Sequence, residues 1–296
     1  LATIKSLFSI PYDAPFLDID PRRDNKRFVD SHRIRHLSHS SKHALAATAL
    51  IDDFLDTVTE KIMSGDDLGA KRLLSQFREP SETRLGLSKT SFQGRGGASE
   101  IGRRIANILT EDLRPLMEVG ILKHLENLPL FVEGIDRDIT SDIVTRIAFG
   151  ALVDFTHEMI ELYPQLGETT ARAEYQLWDR RNHSWVYKEV ELPYINGAPV
   201  LLVPESWTGK SLLMSADRYY NKTLLDWIQE KQTVILPDGT IDRPTKDELR
   251  ERGNIPRNRL TILRLTLEAY EVDIDLIERF TAFVVQKQAE LQLKAA

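Results

Sequence analysis

The chain has 296 residues, 42% of them hydrophobic and 28% charged, and 39 basic against 45 acidic side chains leave a net charge of −6. That is a globular composition, which excludes a collagen, a disordered tail and a membrane-embedded protein, and the length allows one large domain or two ordinary ones. There are no cysteines, which excludes a disulfide framework, a thiolate metal site and a cysteine nucleophile.

No apolar run approaches the roughly 20 residues that span a bilayer. The first ten residues lack the basic region and continuous apolar stretch of a signal peptide. Leu1 rather than Met opens the sequence, as expected of a trimmed chain or a fragment, and a cytoplasmic location without membrane attachment is the expectation.

Residues 1–30 are rich in Pro and Asp and read as an extended arm with turns. From Ser38, apolar residues at helical spacing (Leu45, Ala49, Phe54, Leu55, Val58, Ile62) predict a long helix closed by Gly65. Residues 68–77 predict a shorter helix before Pro80, and residues 84–89 a strand. Residues 91–97 form a glycine-rich loop, and Ser99 caps a helix that runs to Gly120. The run LPLFVEGI at 128–135 reads as a buried strand. A helix from Asp138 should stop before Pro164, and the polar stretch 165–184 shows no period. Residues 185–192 and 199–203 read as strands joined through Asn196-Gly197. Helices follow at 212–231, 245–252, 257–270 and 274–293, with a turn at Pro237-Asp238-Gly239.

The expected class is α+β or mixed α/β, helix-dominated, with a small central sheet of about five strands. Its expected organisation is an extended basic arm at 1–37, a main mixed domain at 38–235 and a helical segment at 236–296. No internal repeat and no low-complexity tract is present.

Asp136, Asp138 and Asp142 follow the 128–135 run at a helix entry, with Asp138 and Asp142 on one face. Convergent carboxylates are what Mg²⁺-dependent phosphodiesterases need, because the metal stabilises the attacking and leaving oxygens. Glu82 could add a ligand and Lys89 could offset developing charge. The competing structural reading is that acids in a first helical turn complement the helix dipole. The only Asp/Glu-x-Lys match is Asp24-Asn25-Lys26, inside the arm, so a standard PD-(D/E)xK nuclease site is not visible.

Gly94, Arg95, Gly96 and Gly97 lead into a helix, where free backbone amides can hold a phosphate; an unliganded surface loop is the alternative. Pro204-Glu205-Ser206-Trp207-Thr208-Gly209-Lys210-Ser211 resembles a P-loop, but Pro204 replaces the first glycine and Trp207 crowds the loop. No nucleotide cofactor is therefore expected. His32, His36, His39 and His43 would line one stripe of a continuous helix and could hold zinc, but the serine-rich segment favours a solvated or nucleic-acid-facing surface. Residues 22–43 carry seven Lys or Arg against two Asp, a net +5 on an acidic chain. That island could steer a polyanion, as could residues 93–104, or it could be a salt-bridged surface.

Several segments in order and spacing resemble a set of bacterial proteins found near mobile or anti-phage loci. They are Glu82-Thr83-Arg84-Leu85-Gly86-Leu87-Ser88-Lys89 with Gly94, Gly96 and Gly97, then the 128–135 run. Asp138, Ser141-Asp142-Ile143, Phe155-Thr156, Trp178, Trp185, residues 199–204 and Pro244-Thr245-Lys246 complete them. The resemblance spans residues 75–265. Two positions depart from it: an Asn expected near Arg146 is absent, and Glu205 stands where Lys is expected. It implies a defence context and an effector acting on nucleic acid.

The leading expectation is thus a metal-dependent nuclease. Glu82, Asp136, Asp138 and Asp142 would hold Mg²⁺, with Asp138, Asp142 and Lys89 as catalytic residues. Gly94, Arg95, Gly96 and Gly97 would cradle the phosphate, and the basic arm would hold the strand. The alternative is a non-catalytic sensor or adaptor that binds a partner protein or a second copy through Trp178, Trp185, Trp207 and the C-terminal helices. A degenerate P-loop switch at Lys210 is the third reading.

Overall fold

Helices dominate the chain, and the strands fall into sheets of two, three and two strands among the described residues, so the class is mixed α/β with helix in excess. The structure is a computed structural model that describes residues 2–87, 95–135, 137–251 and 255–293, with side chains at 95–99 and 291–293 left aside. It divides into two compact units, one of residues 1–114, 124–126 and 135–212, the other of residues 115–123, 127–134 and 213–296.

In the first unit, the N-terminal segment buries Ile4, Ile10, Phe16, Leu17 and Ile19 in a cluster with Phe155, Met159, Leu166, Ile195, Val200 and Leu202. It then forms β1 (Phe28–Val29) and α1 (Ser31–Leu37), capped by Asp30. Ser41 caps α2 (Lys42–Met63), so the predicted long helix is present and starts one turn later than its periodicity suggests. Next come α3 (Asp67–Leu74) and α4 (Arg95–Glu111). A Cβ on Gly102 of α4 would lie 2.1 Å from the Leu74 carbonyl oxygen, so these two helices touch backbone to backbone at a residue that must be glycine. Two further helices, α5 (Arg137–Ile147) and α6 (Phe149–Leu162), replace the single helix expected there, with Ala148 leaving helical geometry between them.

The long hairpin of this unit is β2 (Thr170–Asp179) on β3 (Ser184–Ile195), in unbroken register from Thr170↔Pro193 to Asp179↔Ser184. A short β4 (Ala198–Pro199) adds to β3, and β5 (Thr208–Gly209) pairs with β1. Trp178 and Trp185 face each other across the hairpin and close an aromatic cluster with Phe54 and Phe77, ring centroids 4.9–5.6 Å apart. Their indole N–H groups donate to Asp53 Oδ2 and the Leu73 carbonyl. Of the three tryptophans expected on a partner surface, Trp178 and Trp207 are core residues and Trp185 is half-buried.

One five-stranded central sheet is not what forms. Residues 128–131 make a helical turn with Pro129 in its first turn, and of the strand expected at 84–89 the described residues 84–87 make only one isolated bridge, Leu85 to Asn25, while residues 88 and 89 lie outside the described residues. Residues 200–203 are extended but bond singly to different segments: Leu201 N–H to Glu82 O, Leu202 N–H to Thr156 Oγ1, and Leu17 N–H to Val203 O. The strand that periodicity missed is β2, whose middle is exposed and whose sequence is accordingly polar.

The second unit is helical. Ser215 caps Ala216–Tyr219, a π-helical turn Tyr220–Leu224 follows, and the helix continues as Leu225–Gln232. Lys246–Glu251, Arg259–Tyr270 and Leu276–Leu293 fall close to their predicted spans. At its centre Tyr219 meets Phe131 edge-on and Phe280 at a tilt, and the Tyr219 hydroxyl meets Thr266 Oγ1 at 2.9 Å. A hairpin of β6 (Val234–Ile235) and β7 (Ile241–Asp242) turns at Gly239. No helix among the described residues is long and apolar enough to cross a membrane.

The α3–α4 contact yields a direct expectation. Gly102→Ala forces the two backbones apart and should lower stability by about 1–3 kcal/mol, measured by urea unfolding. An unchanged midpoint would contradict the close approach.

Candidate functional site

Helix α5 has the sequence RDITSDIVTRI, and residues 138–147 are all buried although they include two Asp, two Thr, a Ser and an Arg. Buried polar groups cost free energy unless each is partnered. Here the partners come from distant parts of the first unit. Asp138 Oδ1 accepts the Leu87 N–H at 3.1 Å, and Ser141 Oγ accepts the Val29 N–H at 2.9 Å. Arg146 donates to the Arg78 and Glu79 carbonyls at 2.8 Å each and to the Gln176 carbonyl at 3.5 Å. Its guanidinium also lies 4.7 Å from the Phe149 ring centroid and 3.5 Å from Glu82. Burial pushes the Arg146 pKa below its ordinary value, and Glu82 and Asp142 pull against that.

The turn that meets α5 is held in an unusual shape. Arg84 is left-handed at φ 54° and Gly86 has φ 113°. Asn25 fixes it from the other side: its N–H and Nδ2 donate to the Arg84 carbonyl, and its own carbonyl accepts the Gly86 N–H at 3.0 Å. A Cβ on Gly86 would sit 2.6 Å from Asp138 Oδ1. A non-glycine residue in that left-handed region costs on the order of 1–3 kcal/mol, so Arg84 persists there only because its surroundings over-determine it.

The segment containing Glu82 and the helix containing Asp138 and Asp142 therefore do come together. Glu82 is directed to Arg146 and Asp138 to the Leu87 amide. Among the described residues there is no group of three or more His, Asp or Glu that could hold a metal ion. Lys89, Gly94 and Asp136 lie outside the described residues. Arg95, Gly96 and Gly97 form the first turn of α4 rather than a loop before it, a position where their amides have no intrahelical acceptor. Arg103 and Arg104 are exposed further along that helix.

The second polar site was only half visible in the sequence. Asp30 caps α1 by accepting the His32 N–H at 3.0 Å and lies 3.8 Å from Arg33. Arg35 forks onto Asp52 at 2.6 and 2.9 Å and reaches Glu126 at 2.7 Å. Burial pushes the Asp30 carboxyl up to about 6, with Arg33 pulling it down and Glu126 raising it further. Burial also lowers His32, leaving a neutral imidazole at pH 7. Glu126 and Asp52 carried no sequence signal, because each is a single acid on an unrelated element. The basic residues beside Asp30 were the available hint.

Most of the basic island is paired. Arg22 and Arg23 meet Asp20, Arg33 meets Asp30, Arg35 meets Asp52 and Glu126, and Lys42 meets Glu158. Lys26 and Arg27 line a groove of mixed charge with Asp18, Asp24 and Glu205. The four histidines do not share one stripe, since α1 ends at Leu37 and α2 begins at Lys42. His43 bonds Glu158 at 2.7 Å. In the P-loop-like run, Trp207 is core, Gly209 pairs with Phe28, and the next helix starts only at Ala216.

A family model described as a domain of unknown function (DUF8370) matches residues 9–215. No curated protein and no solved structure matches the chain.

Gly86→Ala should destabilise the fold by about 2 kcal/mol or more. Gly197→Ala, also at positive φ but with open space around it, should cost only about 1 kcal/mol. Equal costs in chemical denaturation would remove the Asp138 contact from the account. Asp30 adds a pH expectation. Its folded pKa of about 6 exceeds the ordinary value of roughly 4, so the folded state holds the proton more tightly. The stability it contributes is complete below pH ~4 and is lost as pH rises through ~6. Asp30→Asn keeps the cap oxygen and cannot ionise, so it should gain stability relative to the parent between those pH values. A pH-independent difference would count against the buried carboxyl.

Proposed function

The chain belongs to the DUF8370 family, and from its own residues we propose that it works as a non-catalytic binding subunit, in the bacterial defence setting that the resemblance implies. The observation that carries this reading is the β6–β7 hairpin of the second unit. Val234, Ile235, Leu236 and Ile241 are 54, 74, 41 and 68% exposed there. Large apolar side chains clustered on a solvent-facing hairpin mark an interaction surface. The charges elsewhere support the same reading. Asp138 and Glu82 serve internal contacts, and most of the basic island is neutralised within the chain.

One observation favours a second reading, the Mg²⁺-dependent nuclease. Residues 82–87 and α5 are far apart in sequence and meet at Asp138. In that reading Asp138 and Asp142 would hold the metal once a phosphate chain displaced the Leu87 amide.

Two measurements separate them. Incubated with single-stranded DNA, duplex DNA and RNA in Mg²⁺, Mn²⁺ or EDTA, the purified chain is expected to cleave nothing. Metal-dependent cleavage abolished by Asp142→Asn would establish the nuclease instead. Co-expressed with the products of flanking genes and with a differently tagged second copy, the chain is expected to co-purify with one of them. Val234→Asp with Ile241→Asp should abolish that association while circular dichroism stays unchanged, and an association indifferent to both substitutions would sink the binding reading.

A further inference from the structure

The β6–β7 hairpin is a two-stranded sheet with two outer edges, and the edges differ in chemistry. On the β7 side the strand ends in Asp242-Arg243, charges of the kind that discourage strand addition. On the β6 side residues 233–236 (Thr-Val-Ile-Leu) carry no charge at all. Leu236 donates its N–H to Thr240 O across the hairpin at 2.9 Å. By the alternation of an antiparallel ladder, the N–H and C=O of Ile235 then face away from β7. Ile235 is also the most exposed of the four apolar residues. A two-stranded hairpin is marginal by itself, and a third or fourth strand stabilises it.

The two ends of this edge are oppositely charged. At the helix end Glu230 is paired with Arg279 at 3.0 Å, while Lys231 lies over the Trp227 ring. At the turn end stands Asp238, which accepts the Thr240 N–H. An uncharged centre with a positive end and a negative end is self-complementary under a two-fold axis.

We propose that β6 is a homodimer edge, pairing antiparallel with β6 of a second copy about a two-fold axis at Ile235. The two Ile235 residues exchange N–H to C=O bonds, and Val234 of each copy faces Leu236 of the other. Lys231 of each copy approaches Asp238 of its mate. The occupant is a second copy because the edge supplies both halves of the match, and a two-fold interface uses one patch twice. The proposal deepens the binding-subunit reading and rests on it.

Sedimentation equilibrium on the full chain tests it. The parent is expected to be a concentration-dependent dimer, and Ile235→Lys a monomer with an unchanged circular dichroism spectrum. Lys231→Glu should weaken the dimer by roughly tenfold, because the lost pair occurs twice. Adding Asp238→Lys to that variant should restore it, which a merely structural effect of either substitution would not do. A parent that stays monomeric at every concentration, or a dimer untouched by Ile235→Lys, overturns the homodimer. If co-purification with a flanking-gene product still depends on Val234 and Ile241, the binding reading survives that failure. If it does not, both fall.

Discussion

A helix written in polar residues and buried on every described side chain from 138 to 147 is the constraint from which the first unit follows. Such a helix cannot be buried by apolar contact alone, because each carboxylate, hydroxyl and guanidinium must find a partner or pay for desolvation. The partners are backbone groups of β1, of the turn at 84–87, of the loop at 78–79 and of β2. Polar demand at one helix thereby fixes the positions of four otherwise independent segments. The left-handed Arg84 and the obligatory glycine at 86 are local concessions to that arrangement.

The N-terminal segment answers the same logic with ion pairs. Its arginines are placed against Asp20, Asp30, Asp52 and Glu126, so a strip that is strongly basic in sequence is largely compensated in space. Partly buried pairs of this kind add little net stability, but breaking one partner away is costly. Among them the Arg35–Asp52 pair ties α1 to α2. Arg33 and Arg35 are largely covered by these contacts, whereas Arg22, Arg23 and Lys42 make their pairs at the surface.

Much of the helical architecture was legible in the sequence, since α2 and the three later helices of the second unit announce themselves by apolar period and caps. The sheet was not. The run LPLFVEGI is apolar enough for a buried strand, yet Pro129 in a first helical turn tipped it to helix. Residues 170–179 hid their strand because the hairpin is half solvated and its alternation is diluted by Arg172, Glu174 and Gln176. At the site, the sequence pointed to the acids at 82, 138 and 142 and the structure does gather their segments. What it could not reveal was the role of Arg146, a lone cation whose importance lies in three carbonyls contributed from elsewhere.

The pairing of β1 with β5 has a consequence for how the molecule is made. Among the described residues Phe28–Val29 finds its strand partner in Thr208–Gly209, and the first unit is interrupted by residues that belong to the second. On the ribosome β1 therefore emerges long before the segment that completes it, and the unit cannot close until residue 209 has been translated. Through that interval the apolar side chains at 10–29 are without their final cover. A chain halted before residue 209 is accordingly a substrate for chaperones and proteases rather than a shorter version of the same domain.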